Sequence, residues 1–214
     1  MIVLGVNLKT SSKRPSVVVG LDCQSQIVLT ERFSNDDELV GIAQEYKPRL
    51  IAVGTPLNLP AGLCCLETSC LCDFASPQMK GRKLELELSR MGISCFFTTK
   101  TSIVRDLIYR GVEINRRLGT LGHEVIEVYP HATKVILFGD GATRKNVARN
   151  PHYLIERLVS LITGLNHHTT GLDHSACNAV VNAYTALLHT QNKTDILGSP
   201  EEGTLVLPSL PRVS

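Results

Sequence analysis

The order of apolar segments predicts an α/β domain, a mixed β-sheet flanked by helices, and three observations carry that prediction. Strand-like runs rich in β-branched residues come first, at 2–8, 17–21 and 26–33. Two later runs, 50–53 and 124–129, are short and continuously apolar, as strands covered on both faces are. Helical periodicity lies between them at 102–118 and returns at 172–191. A chain of 214 residues is long enough to bury a substantial core, and 1–214 is read as a single domain.

The first two runs are joined by a polar, basic turn at 9–16, the pattern of a hairpin, and 26–33 adds a third strand. Ser34-Asn-Asp-Asp-Glu38 supplies a cap and an acidic first turn for a helix that reaches Tyr46. After Leu50-Ile-Ala-Val53 the chain enters an irregular, cysteine-rich insertion at about 60–80. A helical pattern covers 82–91, and 93–97 reads as a strand or an extended connector. Apolar positions 103, 104, 107, 108, 112 and 114 give 102–118 one apolar face, and Gly119 and Gly122 mark its end. Glu124–Tyr129 is a strand closed by Pro130; 131–138, 153–165 and 172–191 follow as helices. Gly198 to Pro208 reads as a turn and a short strand.

Lys and Arg number 22 against 20 Asp and Glu, so a net charge of +2 gives no global electrostatic argument for nucleic acid. Aromatics are only 5% and Trp is absent, which argues against base stacking on single strands. The opening Met-Ile-Val-Leu-Gly-Val lacks the basic flank of a secretory signal, and no apolar run approaches the roughly 20 residues of a membrane span. The expectation is a cytoplasmic protein with reduced cysteines and no membrane partner. Oligomeric state is left open, a homodimer included.

Of the seven cysteines, Cys64, Cys65, Cys70 and Cys72 fall within nine residues. Dense thiolates on a loop suit zinc, copper(I) or an iron–sulfur cluster. The spacing C-C-x4-C-x-C is not that of paired C-x2-C knuckles, and adjacent cysteines seldom both reach one tetrahedral ion. A set of reduced, partly buried thiols is the alternative reading. Cys95 and Cys177 read as core thiols, since neither has an evident base beside it.

In a sheet with helices on its faces, chemistry collects at strand ends. Four places qualify: Asn7, Gly54-Thr55, Glu127 and, on the late helix, Asn178. Glu127 stands out because a carboxylate among Val and Ile needs a partner or a metal. Strand alternation sets it on one face with Val125 and Tyr129, and a half-exposed Glu pairing with a nearby Arg stands level with a functional role. His167, His168 and His174 surround Asp173, but a solvated loop and helix cap explain them without a metal. Arg144, Lys145 and Arg149, the arginines on 102–118, and Lys9, Lys13 and Arg14 could track phosphates, or be solvated faces.

Five segments together resemble a known family. They are Gly5-Val-Asn-Leu8; Val53-Gly-Thr-Pro-Leu57, similar to an Ile-Asp-Ala-Pro-Leu element; Glu127-Val-Tyr-Pro130; Asn178-Ala-Val-Val-Asn-Ala-Tyr-Thr-Ala186; and Gly198-Ser-Pro-Glu-Glu-Gly203 with Leu205-Val-Leu-Pro208. In order and spacing, over residues 2 to 208, they resemble the predicted nucleases of the RNase H-like superfamily catalogued as domain of unknown function 429. The resemblance implies an RNase H-like fold, nucleic acid as partner, and carboxylates that gather Mg²⁺ or Mn²⁺ for phosphodiester hydrolysis. Here Asn7 and Asn178 stand where acids belong, Gly54 has no side chain, and Glu127 alone keeps its charge. Asp173 could replace a ligand only if the helix is irregular there. The implied site residues are therefore Glu127, Asn7, Asn178 and Asp173, on a frame weak or inactive as a nuclease. Two further readings stand beside it: a non-catalytic module binding nucleic acid or protein, and a metal- or redox-sensing protein using zinc or iron–sulfur at Cys64, Cys65, Cys70 and Cys72.

Overall fold

Apolar side chains alternate between two buried faces along the first strand, and the sheet is built outward from it. The computed structural model describes residues 1–10, 14–76, 80–139, 151–165 and 172–209. Strands β1 (Ile2–Asn7), β2 (Ser16–Asp22) and β3 (Ile27–Phe33) form an antiparallel meander. On the other side of β1, strands β4 (Leu50–Val53), β5 (Val125–Val128) and β7 (Gly203–Pro208) run parallel to it, and β6 (Thr194–Ser199) closes the edge antiparallel to β7. The result is a mixed seven-stranded sheet of order β3-β2-β1-β4-β5-β7-β6.

Six helices are described: α1 (Asp36–Tyr46), α2 (Lys83–Arg90), α3 (Arg105–Thr120), α4 (Pro130–Phe138), α5 (Pro151–Val159) and α6 (His174–Thr190). Val3, Val17, Val19, Leu50 and Ala52 face α5 and α6, while Leu4, Val6, Val18, Ile51 and Val53 face α1 and α3. That division is why the central strands read as unbroken apolar runs. α6 is buried on nearly every side, and its small residues let it lie close to the sheet. A Cβ on Gly5 would come 2.1 Å from the Ala183 amide and 2.2 Å from the Ala179 carbonyl oxygen.

Of the two readings of 93–97 the connector holds, since these residues pair with no strand. Two elements differ from expectation. Thr194–Ser199, unforeseen, pairs along its whole length with β7 as a half-exposed edge. α5 ends at Val159, short of the expected 165. No described helix is long and apolar enough to cross a membrane.

Candidate metal centre and the cleft beside it

Register decides which candidate residues can meet. Val6, Val53 and Glu127 lie in one row across β1, β4 and β5. Val6 and Val53 pack on the α1–α3 side, and alternation puts Glu127 on that side too. Asn7 and Gly54, one residue further on, face α6 instead. The sheet therefore separates Glu127 from Asn7 and Asn178 rather than gathering them.

On the α6 side, Asn178 and Asn182 stand one helical turn apart. Asn182 Nδ2 donates to the Val6 carbonyl at 2.8 Å, and a Cβ on Gly54 would meet that nitrogen at 2.5 Å. Lys134, from α4, is 5% exposed and donates from Nζ to Asn178 Oδ1 at 3.0 Å. Burial holds its ammonium below the usual lysine range. Asn178 Nδ2 lies 3.4 Å from His174 Nδ1. Among the described residues, Asn7 Nδ2 and Asn182 Oδ1 have no hydrogen-bond partner. Asp173 is the N-cap of α6, accepting from the Ala176 amide at 2.9 Å and pairing with Arg32 at 3.0 Å. A divalent cation needs charged oxygen ligands to offset its dehydration. This group offers neutral amides and a buried ammonium, its carboxylate Asp173 is taken up by the α6 cap and Arg32, and it does not fit Mg²⁺ or Mn²⁺.

On the opposite side Glu127 is fully engaged. Arg82 donates from Nη1 and Nη2 to its two oxygens, both at 2.7 Å, and the Leu57 amide adds a third bond at 2.8 Å. Arg82 Nε binds Glu85 Oε1 at 3.0 Å, and Glu85 is completed by the Thr98 amide and hydroxyl at 2.8 and 2.6 Å. Burial pulls the guanidinium pKa down, but attraction to Glu127 and Glu85 more than reverses this and holds it above its ordinary value. All three charged groups are buried. Such a network is stable only when each donor and acceptor is matched, and here each carboxylate oxygen has a partner. Sequence reasoning missed Arg82 and Asn182. Asn182 had a signal, its spacing of four from Asn178 on one helix; Arg82 had none.

The cysteine segment lies against the start of α3. Leu63 and Leu66 bury with Ile108, and Tyr109 accepts from the Leu66 amide at 2.6 Å while donating to Glu67 Oε1 at 3.2 Å. Arg105 also binds Glu67, at 3.0 Å. Lys100 Nζ donates to the Cys70 carbonyl at 2.7 Å and to that of Cys72. So anchored, the loop brings the four sulfurs of Cys64, Cys65, Cys70 and Cys72 within 4.8 Å of one another, the adjacent pair included. Cys64 and Cys70 Sγ are 3.7 Å apart, far too long for a disulfide. Sulfurs bound at about 2.3 Å to one tetrahedral ion lie about 3.8 Å apart. Hydrogen bonding to the backbone of Cys65, against the effect of burial, pulls the Cys72 thiol down to about 6. Hydrogen bonds with Cys72, Cys70 and Cys65 push Cys64 up to about 12. Cys177 is buried and Cys95 half-buried, both outside the cluster. Arg144, Lys145, Arg149, His167, His168 and Lys13 lie outside the described residues.

No protein-family model matches this chain, and no curated protein matches it either. Among solved structures it is similar to that of Thermus thermophilus RuvC, with a TM-score of 0.50 and 10% sequence identity. The match covers 90% of this chain and 97% of that one. The fold is RNase H-like, a mixed sheet flanked by helices, as the sequence segments implied.

Proposed function

We propose that this chain is a non-catalytic RNase H-like domain organised around a tetrathiolate zinc site at Cys64, Cys65, Cys70 and Cys72. The observation that carries the reading is the approach of the four sulfurs to within 4.8 Å. That separation suits a single ion. A multi-iron cluster, whose terminal thiolates sit on different metal atoms, needs them further apart. Four protein ligands close the coordination sphere, so the role is structural and not hydrolytic. The neutral amides of Asn7 and Asn178, the Lys134 ammonium, the use of Asp173 as a helix cap and the engagement of Glu127 by Arg82 support a frame without cation-dependent hydrolysis. Nucleic acid as partner is supported by the fold alone.

The test is elemental analysis of protein purified without a metal-affinity column, with a cleavage assay on DNA and RNA in Mg²⁺ and Mn²⁺. About one zinc per chain is expected, lost in the Cys70→Ser/Cys72→Ser variant, with no cleavage above buffer. Metal-free native protein would overturn the zinc site. Divalent-dependent cleavage that Asn178→Ala abolishes would overturn the non-catalytic reading.

A further inference from the structure

Four sulfurs gathered around one ion are also gathered around one another. Cys64 and Cys70 Sγ lie 3.7 Å apart, so a disulfide of about 2.05 Å needs them to approach by roughly 1.7 Å. Cys64 is exposed and Cys70 half-buried, so a small oxidant in solution reaches this pair. Leu71, next to Cys70, is 99% exposed, and the tip of the loop stands in solvent. The anchors of the loop act elsewhere. Leu63 and Leu66 bury against Ile108, Arg105 and Tyr109 hold Glu67, and Lys100 holds the carbonyls of Cys70 and Cys72. None of these hydrogen bonds is made by a sulfur, so the Cys64 and Cys70 side chains can turn toward each other without breaking one.

Chain geometry sets this pair apart. Cys64 and Cys65 are adjacent, and Cα atoms across a trans peptide are about 3.8 Å apart, short of the roughly 4.4 Å at which unstrained disulfides begin. Cys72 Sγ is engaged with the Cys65 carbonyl oxygen at 3.7 Å. Oxidation follows thiolate character and exposure, and a bound metal holds its sulfurs as thiolates. Of the four, Cys64 is the exposed one.

We propose that hydrogen peroxide oxidises Cys64 and Cys70 to a disulfide and so expels the zinc ion. The Cys64 thiolate attacks the O–O bond, giving Cys64 sulfenic acid and one hydroxide. The Cys70 thiolate then displaces the second hydroxide as the S–S bond closes. Two thiolates lose two electrons, the peroxide gains them, and the two hydroxides take protons from solvent to become water. Zinc leaves as Zn²⁺, unchanged in oxidation state, because Cys65 and Cys72 alone leave half of its coordination sphere open. Release rests on the zinc reading given above; the pairing of the two sulfurs does not.

The experiment treats the zinc-loaded full chain with hydrogen peroxide in small excess, with a metallochromic chelator present. About one zinc per chain is released as two thiols disappear, and a phosphine reductant restores the thiols. Cleavage at Glu67, which separates Cys64 and Cys65 from Cys70 and Cys72, yields two fragments joined until reduction. Tandem mass spectrometry of the joined fragments places the bond at Cys64 and Cys70. Cys64→Ser loses that bond, and Cys23→Ser, at an exposed thiol outside the cluster, forms it as the native chain does. Zinc retained with its thiols intact, or released through any other pair, overturns the proposal and leaves the zinc reading standing. Protein that carries no zinc as purified overturns the zinc reading and the release together, and the same digest then shows whether the pair itself forms.

Discussion

A carboxylate inside an apolar strand has to be neutralised somewhere, and Glu127 is neutralised by Arg82 through two 2.7 Å hydrogen bonds. Replacing Arg82 with Met removes the cation and leaves Glu85 and Glu127 buried and unmatched. Urea denaturation should show a loss of about 3–5 kcal/mol, the magnitude seen when one member of a buried ion pair is deleted. Arg49–Glu124 is the contrast: its side chains are 65% and 51% exposed, and Arg49→Ala should change stability by less than about 1 kcal/mol. The oddity of Glu127 was legible from its apolar neighbours, and alternation gave the residues that share its face. Which sheet face that was, and that the partner would come from 45 positions upstream, were not. Both are set by tertiary contacts with no local signature. Asn7 ends β1 and Asn178 lies on α6, as read from the sequence, but the partner of Asn178 is Lys134 and that of Glu127 is Arg82.

Elements were legible where one physical rule dominated. The strands covered on both faces announced themselves as apolar runs. The cap at Asn35, which accepts from the Glu38 amide at 3.0 Å, was readable from its acidic first turn. β6 was hidden because a half-exposed edge strand such as Thr194-Asp-Ile-Leu-Gly-Ser199 needs neither continuous apolarity nor clean alternation. Its strand state comes from its pairing with β7. Packing between elements is equally invisible in a single segment, and α6 on β1 shows this. The helix sits so near the strand that Gly5→Ala would force the two apart. A loss of about 3 kcal/mol or more in chemical denaturation is expected, at the upper end of overpacking penalties. A change within about 0.5 kcal/mol would mean that α6 can shift without cost.

At the scale of the molecule, fold class was the most legible property, because strand order and period do not depend on any single residue. The density of thiols between β4 and α2 was legible too. Their convergence was not, since it depends on Lys100, Arg105 and Tyr109, residues further along the chain that hold the loop's backbone and side chains in place. One consequence reaches across the fold. Ile108 belongs at once to the wall of an apolar cavity beside the ends of β4 and β5 and to the cluster it forms with Leu63 and Leu66 under the cysteine loop. The loop and the cavity wall thus share one side chain. With the proposed metal on the four thiols, chelation should loosen both, seen as faster amide exchange at 105–109 as well as in the loop. Unchanged exchange at 105–109 would mean that Leu63 and Leu66 hold Ile108 in place without the metal.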